Sequence, residues 1–113
     1  MPMRVGFIQF RRQMLEQQLA ETTDVFPTLG IRKAILIGDA VSGDISPSST
    51  LDFIFVHDTD RPFGRRADFF SYHLDAQIGM TYQVYTPEEF EELQETLPAL
   101  YSACKQGRVV FDA

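Results

Sequence analysis

Apolar residues at Phe7, Phe10, Met14, Leu15, Leu19 and Val25 recur at helical spacing with polar residues between them. That pattern predicts an amphipathic helix from Phe7 to Phe26, ending around Pro27 and Gly30. Lys33 to Ile37 (KAILI) is a short apolar run without polar alternation, the mark of a strand covered on both faces. Gly38 to Ser49 is rich in Gly, Asp, Ser and Pro, which predicts a loop holding at most one helical turn. Leu51 to Val56 (LDFIFV) is the second strand, and His57 to Pro62 is polar and turn-like. Ala67, Phe70 and Leu74 stand three and four apart, placing a second helix over Arg65–Leu74. Gly79 ends it, and Met80 to Tyr85 alternates as a third strand with Met80, Tyr82 and Val84 on one face.

The clearest local signal is Thr86-Pro87-Glu88-Glu89. Thr86 caps a helix, Pro87 fits its first position, and Glu89 completes a capping box. Pro98 separates this helix from a last one, which ends at Gly107 as a left-handed terminal residue. Val109 to Phe111 follows as an edge strand. The order is helix, strand, loop, strand, helix, strand, helix, helix, short strand. It predicts an α/β (α+β) fold, a mixed sheet layered with helices, in one domain over 1–113.

Charge and composition then narrow the function classes. Ten Lys+Arg stand against sixteen Asp+Glu, a net charge of -6, which lacks the basic field that direct nucleic-acid binding needs. Hydrophobic residues make up 44%, with ten Phe and four Tyr, enough for a real core in 113 residues. The apolar runs are too short to span a bilayer, and Arg4, Arg11 and Arg12 interrupt any signal-peptide pattern, so a cytoplasmic location without membrane contact is expected. A single cysteine, Cys104, excludes an intramolecular disulfide and a multi-cysteine metal site.

The segment Gly38 to Asp52, GDAVSGDISPSSTLD, resembles the signature of the minimal nucleotidyltransferases of the DNA polymerase beta-like group. That pattern is Gly-Ser, a second glycine, a proline, then Asp-x-Asp opening a strand. Gly38 and Gly43 fall on the two glycines, while Pro47, Ser49 and Asp52 fit without a gap. TPEEFEEL from Thr86, Pro98 and the KQGRVV run from Lys105 extend the likeness over roughly residues 30–112. The resemblance implies a nucleotidyltransferase-like fold and transfer of a nucleoside monophosphate from a triphosphate. In that chemistry carboxylates hold Mg²⁺, because a hard cation takes oxygen ligands. Two carboxylates at i and i+2 of a strand share a face and so share a metal. A third activates the nucleophile, and the small residue after the first glycine meets phosphate at a helix start.

Residue by residue this chain departs from the pattern. Asp39 stands where the family serine contacts phosphate. Thr50 replaces the first carboxylate of the pair, leaving Asp52 as the one candidate metal ligand. The third carboxylate falls at Thr81 by the spacing, and Ser42 takes the place of a basic residue. Like charges 4 Å apart at an effective dielectric of about 20 repel by roughly 4 kcal/mol, so Asp39 opposes a triphosphate. The expectation is a vestigial site made of Gly38, Asp39, Gly43, Thr50, Asp52 and Thr81, with weak or no nucleotide binding and no cofactor. The alternative is an active Mg²⁺-dependent transferase with a rearranged carboxylate set drawn from Asp39, Asp44, Asp52 and Asp75. The family resemblance further implies a helical HEPN-type protein partner in an antitoxin-like pairing, a homo-oligomer, or both.

The remaining chemistry-bearing residues have ordinary readings. His57 and His73 lack metal-ligand spacing and read as structural or solvated. Cys104, beside Lys105, reads as a small buried residue before it reads as a reactive thiol. Arg61, Arg65 and Arg66 form a basic cluster read as solvated surface, with phosphate or an acidic partner as the functional option. The five glutamates from Glu88 to Glu95 read as one solvated helix face, with Phe90 and Leu93 turned inward.

Overall fold

The computed structural model describes the backbone of residues 2–113. Its elements are α1 (Pro2–Val25), a 3-10 turn (Pro27–Leu29), β1 (Ile31–Ile37), α2 (Asp39–Ser42), β2 (Leu51–His57), a second 3-10 turn (Phe63–Arg65), α3 (Arg66–His73), β3 (Met80–Tyr85), α4 (Pro87–Thr96), α5 (Pro98–Gln106) and β4 (Arg108–Asp112). Among the described residues no helix is long and apolar enough to cross a membrane. The expected mixed α+β architecture is present. β1 starts two residues before the run that announced it, at Ile31, and His57 extends β2 rather than opening the turn.

The four strands lie in the order β3-β2-β1-β4. β1 pairs antiparallel with β2 and β4, while β2 and β3 run parallel, the crossover between them being α3. Alternation then sorts side chains to two faces. Leu36, Leu51, Phe53, Phe55 and Val84 pack with Leu15, Phe26, Phe70 and Leu74, contributed by or next to α1 and α3. Ile35, Ile54 and Tyr85 pack with Leu100 of α5, and Phe90 and Leu93 of α4 close over them as their spacing predicted. Phe26 meets Phe53, Phe55 and Phe111 edge-on, the geometry that aromatic quadrupoles favour.

Three sequence readings are corrected here. Gly107 is extended, with φ -78° and ψ 178°, rather than left-handed. It is needed because a Cβ there would lie 2.8 Å from both Ile35 Cγ2 and the Leu36 carbonyl oxygen, where α5 closes onto β1. Arg66 is buried instead of solvated. Its guanidinium donates to the carbonyls of Arg61 and Val84, at 2.8 and 3.2 Å, and pairs with both carboxylate oxygens of Glu89. Glu89 therefore leaves the solvated acidic face. It also accepts the Thr86 N–H at 2.9 Å, completing the predicted capping box, while Thr86 Oγ1 accepts from the Glu89 N–H.

Candidate functional site

The motif loop leaves β1 at Gly38 and returns at β2, so both ends of the site are fixed by one antiparallel strand pair. Gly38 has φ +82° and ψ -152°, a conformation confined to glycine. It starts a single helical turn in which the N–H groups of Val41 and Ser42 donate to its carbonyl. Gly43 closes that turn at φ +87°, its N–H donating to the Asp39 carbonyl. A Cβ at Gly43 would meet nothing within 4 Å, so backbone freedom alone explains it. Gly38 has a second reason: a Cβ there would lie 2.6 Å from Asp52 Oδ2.

Asp52 pairs with Ile37 on one side and with Thr81 on the other. Thr50, Asp52 and Ile54 alternate onto one face of the sheet, and Thr81 lies on that same face because parallel register matches it to Asp52. Thr81 Oγ1 donates to Asp52 Oδ1 at 2.7 Å, and Thr50 Oγ1 donates to the same oxygen at 2.9 Å. The three positions that sequence spacing assigned to one cluster are thus brought together. Toward the middle of the sheet, Ile54 and Tyr85 are covered by α4 and α5, while Thr81 stays exposed.

Asp39 is turned to a different task. Its Oδ2 accepts the buried Ser49 hydroxyl at 2.9 Å, and that hydroxyl in turn accepts the Ser46 N–H at 2.8 Å. The loop is braced again from α1, where Arg11 donates from Nε and Nη2 to the Ser49 carbonyl at 2.9 and 2.7 Å. A cleft of about 490 Å³ opens beside this loop, between Gly38, Asp39 and Ser42 on one wall and Ala103, Gln106 and Gly107 on the other. Its size is within the range of ligand pockets, roughly 300–1,000 Å³.

The donor set does not fit Mg²⁺. One carboxylate faces two hydroxyls whose protons already point at it, whereas the cation wants several free oxygen lone pairs. Among the described residues no three His, Cys, Asp or Glu side chains gather closely enough to share a metal ion. Asp44 is exposed, and Asp75 sits on the loop after α3, its carboxylate accepting from Gln77 at 3.2 Å.

Elsewhere the chemistry-bearing residues make packing and hydrogen-bonding contacts away from the motif loop. His57 Nδ1 donates to the Gly30 carbonyl at 3.2 Å, and its ring stacks on Phe69. His73 lies against Phe69 and Tyr72. Cys104 is half-buried against Ile35, Ile54 and Tyr85, and burial pushes its thiol up, the reverse of a reactive thiolate; a hydrogen bond from Gln94 and the charge of Lys33 oppose that rise. Sequence reading missed Arg11 as a brace of the motif loop. Its signal was present: Arg11, Leu15, Gln18 and Thr22 are spaced 4, 3, 4, one line down the inward face of α1.

Comparison of the chain with protein-family models, with curated proteins and with solved structures found no match.

Proposed function

We propose that this chain is a nucleotidyltransferase-like domain that no longer performs catalysis and acts as a protein-interaction subunit, antitoxin-like, for a helical HEPN-type partner. One observation carries the loss of catalysis. At the position where the resemblance expects a metal-binding carboxylate trio, two threonine hydroxyls both donate to a single oxygen of Asp52. Asp39 adds a negative charge on the wall of the adjoining cleft, where a triphosphate would lie. The partner half of the proposal rests on the family resemblance and on the excess of acid, which meets a basic partner favourably.

A thermal-shift titration with each nucleoside triphosphate, with and without Mg²⁺ or Mn²⁺, is expected to be flat. A ligand at a hundred times its dissociation constant adds about 2.7 kcal/mol and raises the midpoint by roughly ten degrees in a domain of this size. Such a rise, dependent on metal, would instead favour a working transferase with rearranged carboxylates. The chain recovered from native lysate is expected to bring a stoichiometric protein with it, and recovery alone counts against the partner.

The converse experiment rebuilds the site. Asp39→Ser, Thr50→Asp and Thr81→Asp together remove the repulsive charge and surround Asp52 with two more carboxylates. The triple variant is expected to gain metal-dependent nucleotide binding, read as the same midpoint rise. A folded triple variant that binds nothing would mean that these positions are not the descendants of a metal site.

A further inference from the structure

A cavity of about 180 Å³ opens under α1, and it shares no lining residue with the cleft between Gly38 and Gly107. Leu15 of α1, Leu36 of β1, Ile45 of the motif loop and Leu51 of β2 close its floor. Three charged side chains stand on its rim, all exposed: Arg12 and Glu16, one turn apart on α1, and Arg108 on β4. Arg108 is the cross-strand partner of Leu36, so its stem rises on the face that α1 covers. Successive residues of a helix point about 100° apart. Arg11 therefore turns to the Ser49 carbonyl while its neighbour Arg12 borders the cavity.

Charge and lining together select the ligand. Among the described residues the ion pairs are Arg32–Asp58, Arg65–Asp68 and Arg66–Glu89, and none includes Arg12, Glu16 or Arg108. Two guanidinium groups and one carboxylate leave a single positive charge at this rim, in a chain whose net charge is -6. One negative charge cancels it, whereas a phosphate dianion overshoots and meets Glu16. A guanidinium fork fits a carboxylate through two parallel hydrogen bonds. The aliphatic floor takes the rest of such a molecule, since a pocket of roughly 150 Å³ with walls of this kind admits a benzene ring.

We propose that this cavity binds a small organic monocarboxylate whose apolar body is about the size of a benzene ring. Arg12 and Arg108 hold the carboxylate from two sides, and the body rests on the floor that Leu15 and Ile45 close. The inference goes beyond the proposed function and does not depend on it, because neither arginine belongs to the motif loop or to the Asp52 cluster.

Benzoate titrated into the isotope-labelled full chain, followed by amide NMR, tests it. The expected result is a saturable shift of the Leu15, Leu36, Ala40 and Ile45 signals. Its dissociation constant should be on the order of 1 mM or below, the scale for a ligand of so few atoms. Benzamide keeps the ring without the charge, and inorganic phosphate keeps charge without the ring; each is expected to bind about tenfold more weakly or worse. Arg12→Gln and Arg108→Gln should each weaken benzoate about tenfold, the worth of a hydrogen bond to a charged group. Glu16→Gln should tighten it about threefold by removing a like charge at the surface. All three side chains are exposed, so the circular dichroism and unfolding midpoint of these variants should stay near wild type. No saturable shift up to about 10 mM benzoate, equal affinity for benzamide, displacement of benzoate by an equal concentration of phosphate, or indifference to both arginine variants each overturns the proposal. So does a saturable shift confined to the cleft beside Gly38, which would place the ligand there instead.

Discussion

Arg66→Met is expected to lower the unfolding free energy by about 3 kcal/mol, the lower end of the cost of breaking a buried ion pair. Urea denaturation followed by circular dichroism reads that loss directly, and heating should show a midpoint roughly 10 °C lower. The Arg66 side chain is 8% exposed and Glu89 40%, which is why the lower end applies: the stranded carboxylate regains water. What does not regain water is the Val84 carbonyl on β3, which loses the guanidinium as a donor. Methionine keeps the apolar stem, so the change isolates the polar contacts rather than creating a cavity. Glu89→Gln should cost somewhat less, about 2 kcal/mol: the amide oxygen still accepts from Thr86 and from the guanidinium, but the buried guanidinium loses its counter-charge and its second acceptor. Equal losses for the two variants would show that the arginine serves only as a counter-ion.

The same pair gives stability a pH dependence with a definite sign. The hydrogen bond from Arg66 first, then that from the Thr86 N–H, lowers the Glu89 carboxyl from 4.5 to about 2. A carboxyl depressed by folding stabilises fully above its unfolded value, and the contribution is lost as pH falls through the folded one. The gap between wild type and Arg66→Met should therefore be constant above about pH 5 and narrow toward pH 2. A gap that stays constant to pH 2 would assign the whole cost to the carbonyl bonds.

These residues also mark where the sequence was legible and where it was not. Helix and strand positions followed from periodicity, and the capping box at Thr86 was readable because all its parts lie within four residues. Thr50 and Asp52 could be set on one face because residues i and i+2 of a strand project to the same side, and the spacing of the resembled motif put Thr81 beside them. Arg66 was misread because its partners, Val84 and Glu89, lie 18 and 23 residues away, and local charge clustering with Arg61 and Arg65 points to solvent. Gly107 was misread for a related reason. A glycine after a helix has two physical uses, a left-handed turn and a close approach, and only packing against β1 tells them apart. The role of Ser49 as the donor to Asp39 depends likewise on a loop that folds back over ten residues.

Gly38→Ala is expected to destabilise the chain by about 3–5 kcal/mol, and Asp52 should account for part of it. At φ +82° and ψ -152° any side chain is strained, a cost on the order of 1–3 kcal/mol. The added methyl would also meet Asp52 Oδ2 at 2.6 Å, and that carboxylate cannot simply swing aside, because its other oxygen is held by Thr50 and Thr81. Asp52→Ala alone frees two hydroxyls near the surface and should cost only about 1 kcal/mol. Combined with Gly38→Ala it removes the collision but not the strain, so the double variant should be less destabilised than the sum by about 1–2 kcal/mol. Strict additivity would mean that the backbone conformation alone demands glycine. Wild-type stability of Gly38→Ala would mean something more consequential: a glycine that folding does not require is there for a ligand to approach. A destabilised single variant with a coupled double variant leaves the motif's first glycine explained by packing, whether or not any phosphate ever reaches it.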